Sequence, residues 1–285
     1  MNETGYDTRR HMTSIWVTEI VFRPTGAVSF RKMPSGILHI MSYPFMPPTT
    51  MSGFLYRLVR IAKDKDWSGY GDDWYNGPKS KEFTLTLDCR YRSLGAFPHH
   101  DQWKIHKTRR HGPKNFKHRQ FSHLLRTDHK ENYELHHWDY LFCDRLTGWV
   151  AAREKEPLEM LTGLKNYGGK AGKEGYVIVD RISFPKELKL NHGAYSPLGL
   201  VTPPDRPLSG EFYQMYGHHW DKNYEWCNGE KGGVAGYTQF GAWWNVDSVT
   251  GSYWEWEPGM GFPVVALDAF LTGDVEPFCN KGNMP

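Results

Sequence analysis

The sequence predicts an α+β fold with a long basic insertion, followed by a mainly β region. Three observations predict it: an apolar, β-rich segment at residues 15–22, an amphipathic helix after a proline run, and a strict alternation of apolar and polar residues over 83–91. The chain has 285 residues, of which 39% are hydrophobic, so it can build a folded core.

The first elements are a central strand and a helix. Residues 15–22 are apolar on both faces, which is typical of a strand buried within a sheet. The three prolines within residues 44–48 hold the next segment extended, because proline fixes φ and disfavours helix at the residue before it. We expect Thr49 or Thr50 to cap a helix. Its apolar face has the spacing i, i+3, i+4, i+7 and i+8 and consists of Met51, Phe54, Leu55, Leu58 and Val59.

The later segments complete the predicted order of strands and helices. Residues 83–91 form the clearest strand, and residues from about 95 to about 136 are basic and show no period. After them we expect strands at 138–143 and 149–152, a helix at 154–166, a glycine and lysine loop at 167–175 and a strand at 176–182. The sequence therefore predicts β-α-β-β-α-β, the ferredoxin-like order of many RNA-binding domains.

Two regions follow from this reading. A ferredoxin-like domain is expected over residues 13–184, with the basic insertion at about 95–136 inside it. Residues 185–285 are rich in glycine and aromatic residues, lack helical periodicity and are expected to be mainly β.

Composition excludes several classes of protein. The net charge of +3 is too small to decide for or against nucleic acid, so the distribution of charge must do so. The four cysteines form no C-x-x-C pair, which argues against a zinc knuckle or a disulfide framework, and we expect no cofactor and no metal. No apolar run reaches the roughly 18 residues of a membrane span, and the first dozen residues lack an apolar secretory core. We expect a cytoplasmic protein without a membrane partner.

The start of the predicted helix has the chemistry of an anion site. A helix N-terminus carries unsatisfied N–H groups and about half a positive charge. Thr49, Thr50 and Ser52 add hydroxyl donors, and Gly53 lets a ligand approach the backbone. An ordinary helix cap is the alternative.

The glycine and lysine loop is a second candidate. Four glycines and two lysines lie within residues 168–176, between a helix and a strand, and glycines can turn backbone amides toward phosphates. The loop is not a Walker motif, because no G-K-[ST] follows. A flexible connection is the alternative to RNA backbone binding.

The basic insertion is the third candidate. Between residues 99 and 130 there are only two acids, and aromatic residues are interleaved with the cations, as single-stranded RNA requires. A solvated loop is the alternative. The nine cations are Lys104, Lys107, Arg109, Arg110, Lys114, Lys117, Arg119, Arg126 and Lys130.

Histidines and tryptophans leave two other functions open. Nine of the 14 histidines lie between residues 99 and 137, where they could act as acid and base in metal-free RNA cleavage, with Tyr43 or a lysine as a partner, or bind bases and phosphates. Their spacings match no metal pattern. The C-terminal region contains rings that could stack sugars, as in a carbohydrate-binding module, or pack in a core or a protein interface: Trp220, Tyr224, Trp226, Trp243, Trp244, Trp254 and Trp256.

The N-terminal motifs resemble a known family. The signature of the Cas-five family, a branch of the RAMP superfamily in type I CRISPR Cascade complexes, is a small-Phe-Arg turn followed by a tyrosine-proline run into Pro-x-Thr-Thr-x-x-Gly-hydrophobic. Residues 168–176 also resemble the glycine-rich loop of RAMP proteins. The matching residues of the signature are Ser29, Phe30, Arg31, Tyr43, Pro44, Pro48, Thr49, Thr50, Gly53 and Leu55.

The resemblance implies a function and a set of partners. Proteins of this family cap the 5′ handle of the guide crRNA and contact the backbone and large subunits; target DNA is a further partner through the complex. The resemblance also implies a projecting β-hairpin thumb, and the basic insertion is then the thumb region. One subtype cuts precursor RNA, but the Pro-Pro-Thr-Thr form is similar to the non-cutting branches, so we expect no catalytic residue. The expected RNA-binding residues are Arg31, Lys32, Tyr43, Thr49, Thr50, Ser52, Lys104, Lys107, Arg109, Arg110, Lys114, Lys117, Arg119, Gly168, Gly169, Lys170 and Lys173.

Overall fold

The computed structural model shows an α+β protein that is mostly β-sheet with few helices. It describes residues 15–32, 39–64, 91–99, 102–113, 133–152, 154–195, 199–202, 210–220, 234–244, 249–257 and 260–261.

The strands and helices of these ranges follow one another along the chain. The first half contains β1 (Ile15–Pro24), β2 (Phe30–Arg31), β3 (His39–Ile40), β4 (Ser42–Tyr43), α1 (Pro48–Asp64), β5 (Tyr91–Pro98), β6 (Trp103–Pro113), β7 (Tyr133–Cys143) and β8 (Leu146–Ala152). The second half contains α2 (Glu156–Glu159) with a 3₁₀ turn (Met160–Leu164), β9 (Gly168–Lys170), β10 (Tyr176–Ile182), β11 (Lys186–Tyr195), β12 (Gly199–Thr202), β13 (Glu211–Trp220), β14 (Val234–Trp244), β15 (Val249–Glu257) and β16 (Met260–Gly261).

Strand β1 is central to the main sheet, as its apolar sequence predicts. It pairs antiparallel with β8 on one side and with β10 on the other, and β8 in turn pairs antiparallel with β5. The order β10–β1–β8–β5 therefore runs through the core, with β9 outside β10. Val17, Ile20 and Phe22 of β1 are fully buried, which explains why both faces of the strand are apolar.

Helix α1 covers this sheet through the apolar face that its spacing predicts. Met51, Leu55 and Leu58 are fully buried. The helix begins at Pro48, so the prediction that Thr49 or Thr50 caps it is wrong. The amide of Met51 donates to the carbonyl of Pro47, and proline suits the first helical position because its fixed φ matches the helix. No helix among the described residues is both long and apolar enough to cross a membrane.

The basic insertion contains more regular structure than its sequence indicates. Strands β6 and β7 pair antiparallel from Trp103 opposite Cys143 to Pro113 opposite Tyr133, so they form a long two-stranded arm. The sequence hides this arm because β6 carries exposed side chains on both faces, and alternation of apolar and polar residues marks only strands with one buried face. The predicted strand at 83–91 lies outside the described residues, except for Tyr91, which begins β5.

The second predicted helix is shorter than expected. Instead of 154–166 it spans Glu156–Glu159 and continues as the 3₁₀ turn Met160–Leu164. Gly163 within that turn favours an early end, because glycine costs about 1 kcal/mol in a helix interior. Its leucines still face the core: Leu158, Leu161 and Leu164 are buried.

The main sheet runs across the predicted division at residues 184 and 185. Strand β10 pairs with the later part of β1, and β11 pairs with its beginning, from Val17 opposite Lys186 to Ile15 opposite Leu188. Strands β15 and β16 then extend the sheet from β11. Strands β12, β14 and β13 form a separate three-stranded sheet. The assignment of two domains stays a prediction.

A close approach between β8 and β5 requires a residue without a side chain. A β-carbon added to Gly148 would lie 2.6 Å from the Cβ of Ala96 and 2.6 Å from the carbonyl oxygen of Gly95. Ala96 is held there by two hydrogen bonds to Met46, so the proline segment before α1 depends on the same contact. We infer that Gly148 lets β5 pack closely against β8 and thereby holds the segment before α1 in position.

Replacing Gly148 with alanine is expected to destabilise the protein by about 1 to 3 kcal/mol, because the new methyl group overpacks a buried contact. Denaturant unfolding of the purified variant measures this loss. The matched control is Gly163→Ala, whose added β-carbon meets nothing within 4 Å and which should not destabilise the protein, because alanine is favoured over glycine in a helical turn by up to about 1 kcal/mol. Equal unfolding midpoints for the two variants would contradict the role of Gly148.

Candidate nucleic-acid interface

The turn segment, residues 26–31, is held between two other parts of the chain. Val28 exchanges two backbone hydrogen bonds with Leu141 of β7, at 2.7 and 3.0 Å. On the other side, the amide of Ser29 donates to the carbonyl of Glu174 at 2.8 Å, and the amide of Lys173 donates to the carbonyl of Ser29 at 2.8 Å. Val28 and Ser29 are fully buried. The turn segment thus joins the basic arm to the glycine loop, residues 168–175.

Two glycines let the glycine loop lie against the turn segment. Gly172 has φ +69° and Gly175 has φ +108°, both in the left-handed region that favours glycine. A β-carbon at Gly172 would lie 2.6 Å from the carbonyl oxygen of Ser29, and one at Gly175 would lie 2.6 Å from Val28 Cγ1. The glycines therefore serve the contact between the two motifs.

Two amides of the glycine loop, those of Ala171 and Lys173, are engaged within the protein. Ala171 donates to the carbonyl of Gly175 at 3.1 Å and Lys173 donates to Ser29, while Gly168 and Gly169 belong to β9 and pair with β10. The prediction that this loop turns these amides toward phosphates does not fit their bonds. The side chains of Lys170 and Lys173 are exposed.

Helix α1 brings an arginine to the same loop. A β-carbon added to Gly169 would lie 3.9 Å from Nη1 of Arg57 and 3.8 Å from the ring of Phe54. Arg57 falls outside the apolar face of the helix and was not among the predicted residues. Thr49, Thr50 and Ser52 lie half-buried in the first turns of the helix.

Three predicted residues close to the turn segment have structural contacts. Tyr43 is 4% exposed and its hydroxyl donates to the carbonyl of Gln214 in β13, which leaves little of it for RNA. The ammonium of Lys32 lies 4.8 Å from the ring centre of Tyr213, and burial lowers the pKa of Lys32, although the charges of nearby carboxylates oppose that shift. Arg31 is half-buried, and its backbone lies opposite Ser42 in the antiparallel pair of β2 and β4.

The cations of the arm lie on both of its faces. Side chains alternate along a strand, so Lys104 and His106 of β6 point to one face, and Lys107 and Arg109 point to the other. All four are exposed. Arg110 is paired with His136 in the backbone, and Lys114, Lys117 and Arg119 lie outside the described residues.

The face with Lys107 and Arg109 also carries His39, His137 and Asp139. We call these five residues the arm patch. Lys107 pairs with Asp139 and Arg109 with His137, and directly opposed residues share a face of the sheet. His39 of β3 pairs in parallel with His137, with ring centres 5.9 Å apart, and its Nε2 lies 3.1 Å from Oδ1 of Asp139. In the described ranges no group of three potential ligands is placed to hold a metal ion.

A cleft of about 750 Å³ lies at the base of the arm, on the side of Lys104. It is lined by the end of β1, the turn after it, the start of β6 and the end of β7. Its cations are Arg23, Lys104 and Arg145, and Phe142 is an exposed ring in its wall. The predicted set contained only Lys104, because the other residues lie far apart in the sequence and show no local pattern.

Comparison with solved structures finds a low similarity to CRISPR proteins. A chain of the type III-B Cmr-beta complex bound to cognate target RNA and AMPPnP is 13% identical, with 82% of this chain and 86% of that chain covered and a TM-score of 0.40. A chain of Cmr-beta bound to cognate target RNA gives the same identity and coverage with a TM-score of 0.39. A CRISPR protein from Archaeoglobus fulgidus is 12% identical, covers 86% and 97%, and has a TM-score of 0.37.

Similarity at this level does not assign the chain to a family. No protein-family model matches the sequence, and no curated protein matches it either.

The thiol of Cys143, in the wall of the cleft, is expected to be unreactive in the folded protein. Burial, with a smaller contribution from the charge of Asp144, raises the pKa of Cys143 to about 12, and only the thiolate is nucleophilic. Allowing for the higher intrinsic reactivity of a more basic thiolate, alkylation by iodoacetamide at pH 8 should be about a hundredfold slower than in the unfolded chain.

Peptide mapping by mass spectrometry follows Cys143 separately from the other three cysteines. The control is the same peptide alkylated in urea. Asp144→Asn should accelerate the native reaction modestly, since burial is the larger cause of the shift. Equal native and unfolded rates would contradict the burial of this thiol.

Proposed function

We propose that this chain is a non-catalytic, RNA-binding subunit of a CRISPR effector complex, of the Cascade kind, which holds the 5′ handle of the guide RNA. The sequence signature described above supports the proposal through its resemblance to the Cas-five family. The geometry of the turn segment supports it independently.

The strand order is consistent with a ferredoxin-like domain. In a β-α-β-β-α-β chain of that type the fourth strand lies beside the first, the third lies on the other side of the first, and the second lies outside the third. The order β10–β1–β8–β5 has this arrangement, with α1 between β1 and β5 and α2 between β8 and β10. RNA-binding domains commonly use this fold.

One observation carries the proposed function: the turn segment bonds to β7 on one side and to the glycine loop on the other. The signature turn, the glycine loop and the strand that completes the basic arm thereby meet in one place, although they lie far apart in the sequence. Tyr140 of β7 reinforces the junction by donating its hydroxyl to Oε2 of Glu174 at 2.6 Å. Exposed cations of the arm and of the glycine loop flank this junction, and such cations supply most of the affinity for a phosphate backbone.

The arm suits the predicted partners as well. Exposed side chains lie on both faces of β6, so the arm can contact RNA and a neighbouring protein subunit at the same time. The backbone subunit, the large subunit and, through the complex, target DNA are the partners that the resemblance implies.

Reversing the charge of Lys107 and Arg109 together is expected to weaken binding of a labelled single-stranded repeat-handle RNA by about tenfold or more. Because each cation is expected to neutralise one phosphate, the double variant should also reduce the slope of log K against log salt by about 1.4, at about 0.7 per phosphate of a single strand. Fluorescence anisotropy over a salt series measures both quantities on the full chain.

The control is Lys186→Glu with Lys189→Glu, which makes the same change of charge on β11. Both lysines are exposed; Lys186 lies opposite Val17, and Lys189 lies just past the start of β1. The turn segment follows the other end of β1, so the control changes charge away from it. Identical slopes for the two double variants would show that RNA does not use the arm patch.

A second candidate function rests on the histidines of the arm patch. Asp139 is 6% exposed and orients His39, and a second imidazole, His137, lies in ring contact with it. Two neighbouring imidazoles can act as base and acid in metal-free RNA cleavage. This candidate is a metal-independent endoribonuclease that processes precursor RNA.

The structural role predicts that precursor repeat RNA stays intact when it is incubated with the protein in a chelator. Gel analysis of labelled RNA over hours provides the measurement. Discrete cleavage that is lost in both His39→Ala and His137→Ala would instead establish the nuclease, whereas cleavage that survives in both variants would indicate a contaminating enzyme.

A further inference from the structure

The cleft at the base of the arm has the chemistry of a nucleotide site, and no motif of the sequence indicates it. We propose that it takes one unstacked nucleotide of a single-stranded RNA, with its base on Phe142 and its phosphates on Arg145, Lys104 and Arg23. The inference rests on the proposed RNA-binding function and adds a particular site to it.

Phe142 supplies the stacking surface. Its side chain is 43% exposed at the end of β7, where it lies directly opposite Lys104 of β6. The ring of His106 is next to it, with centres 4.8 Å apart and planes inclined by 57°. An unpaired base can stack on such a ring whatever its identity, because every base has a π-face. Lys104 places a cation beside that ring, as the phosphate of the same nucleotide requires.

The charge of the cleft favours an anion. Three cations face it from β1, from β6 and from the turn after β7, and Asp144 is the acid among its lining residues. Arg23 lies 3.7 Å from Asp180, but both groups are substantially exposed, so this pair is weak and Arg23 can turn to a ligand. Arginine binds phosphate through two parallel hydrogen bonds, which suits Arg23 and Arg145 to this position.

The floor of the cleft is rigid and open to a ligand. The amide of Thr25 donates to the carbonyl of Tyr176 at 3.0 Å, which ties the end of β1 to β10. Gly26 follows it, and a β-carbon added there would meet nothing within 4 Å. The backbone is therefore approachable from the cleft. Its volume of about 750 Å³ falls in the range of about 300 to 1,000 Å³ that is usual for small-ligand sites.

Lys104 and Phe142 of the cleft point to one face of the β6–β7 pair, and Lys107 and Arg109 of the arm patch point to the other, while Trp103 and Cys143 extend the cleft across the end of the pair. Strand β6 is an edge strand of its sheet in the described part of the chain, so an RNA can pass around it from one face to the other. A strand that turns around an edge is single and unstacked at that point.

The test uses the full chain and the labelled repeat-handle RNA. Phe142→Ala should weaken binding by about fivefold or more, as expected for the loss of one base–aromatic stack, without changing the salt slope. Phe142→Tyr keeps the ring and should bind like the wild type. Arg145→Glu should lower the slope by about 0.7.

A set of RNAs, each with one abasic residue, identifies the nucleotide. With the wild type, one abasic position should cost about as much affinity as Phe142→Ala; with Phe142→Ala that position should no longer matter. If the wild type binds RNA while Phe142→Ala and Arg145→Glu bind with unchanged affinity and slope, the cleft proposal fails and the proposed function stands. If the wild type binds no RNA, both fail.

Discussion

The backbone hydrogen bonds around the turn segment are the constraint on which the rest of the molecule depends. Val28 and Ser29 are fully buried, so water cannot replace the partners of their peptide groups. Leaving one buried peptide group unsatisfied costs about 1 to 3 kcal/mol, more than a typical bond contributes when it is made. The arm and the glycine loop must therefore both stay in place beside the turn.

Small and aromatic residues make this arrangement possible. Gly172 and Gly175 allow the loop to approach the turn within the space that a side chain would occupy. On the other side of the turn, Tyr43 and Lys32 tie β4 and β2 to β13 through a hydrogen bond and a contact with the ring of Tyr213. Residues chosen from the sequence for RNA chemistry are thus partly used to hold the protein together.

The distribution of charge gives the arm two cationic surfaces. A single basic run in the sequence becomes two surfaces, because neighbouring residues of a strand face opposite sides. Lys107 and Arg109 stand with the histidines of the arm patch, while Lys104 stands with Phe142 in the cleft. The proposed RNA contacts one surface after the other, and the edge strand β6 lies between them.

Local pattern determined a good part of the fold. The apolar segment that became β1, the strand β10 at its predicted bounds and the buried face of α1 all follow from side-chain periodicity, which needs no knowledge of distant contacts. The start of α1 was misjudged because Pro48 competes with Thr49 for the first position, and local propensity alone does not choose between them. Local pattern did not predict strand β6, because a strand exposed on both faces shows no alternation, and only the family resemblance implied a β-hairpin there.

By itself, the sequence showed which segments are basic or glycine-rich and which carry the core. Only the tertiary structure decided that the turn segment, the arm and the glycine loop meet, and that the amides of Ala171 and Lys173 form hydrogen bonds within the protein. It also brought Arg23, Phe142 and Arg145 into one cleft. The physical reason is that these contacts are made by backbone groups, or by single side chains brought together from distant segments. Every residue except proline carries the same backbone N–H and C=O groups, so the sequence does not show which of them will pair.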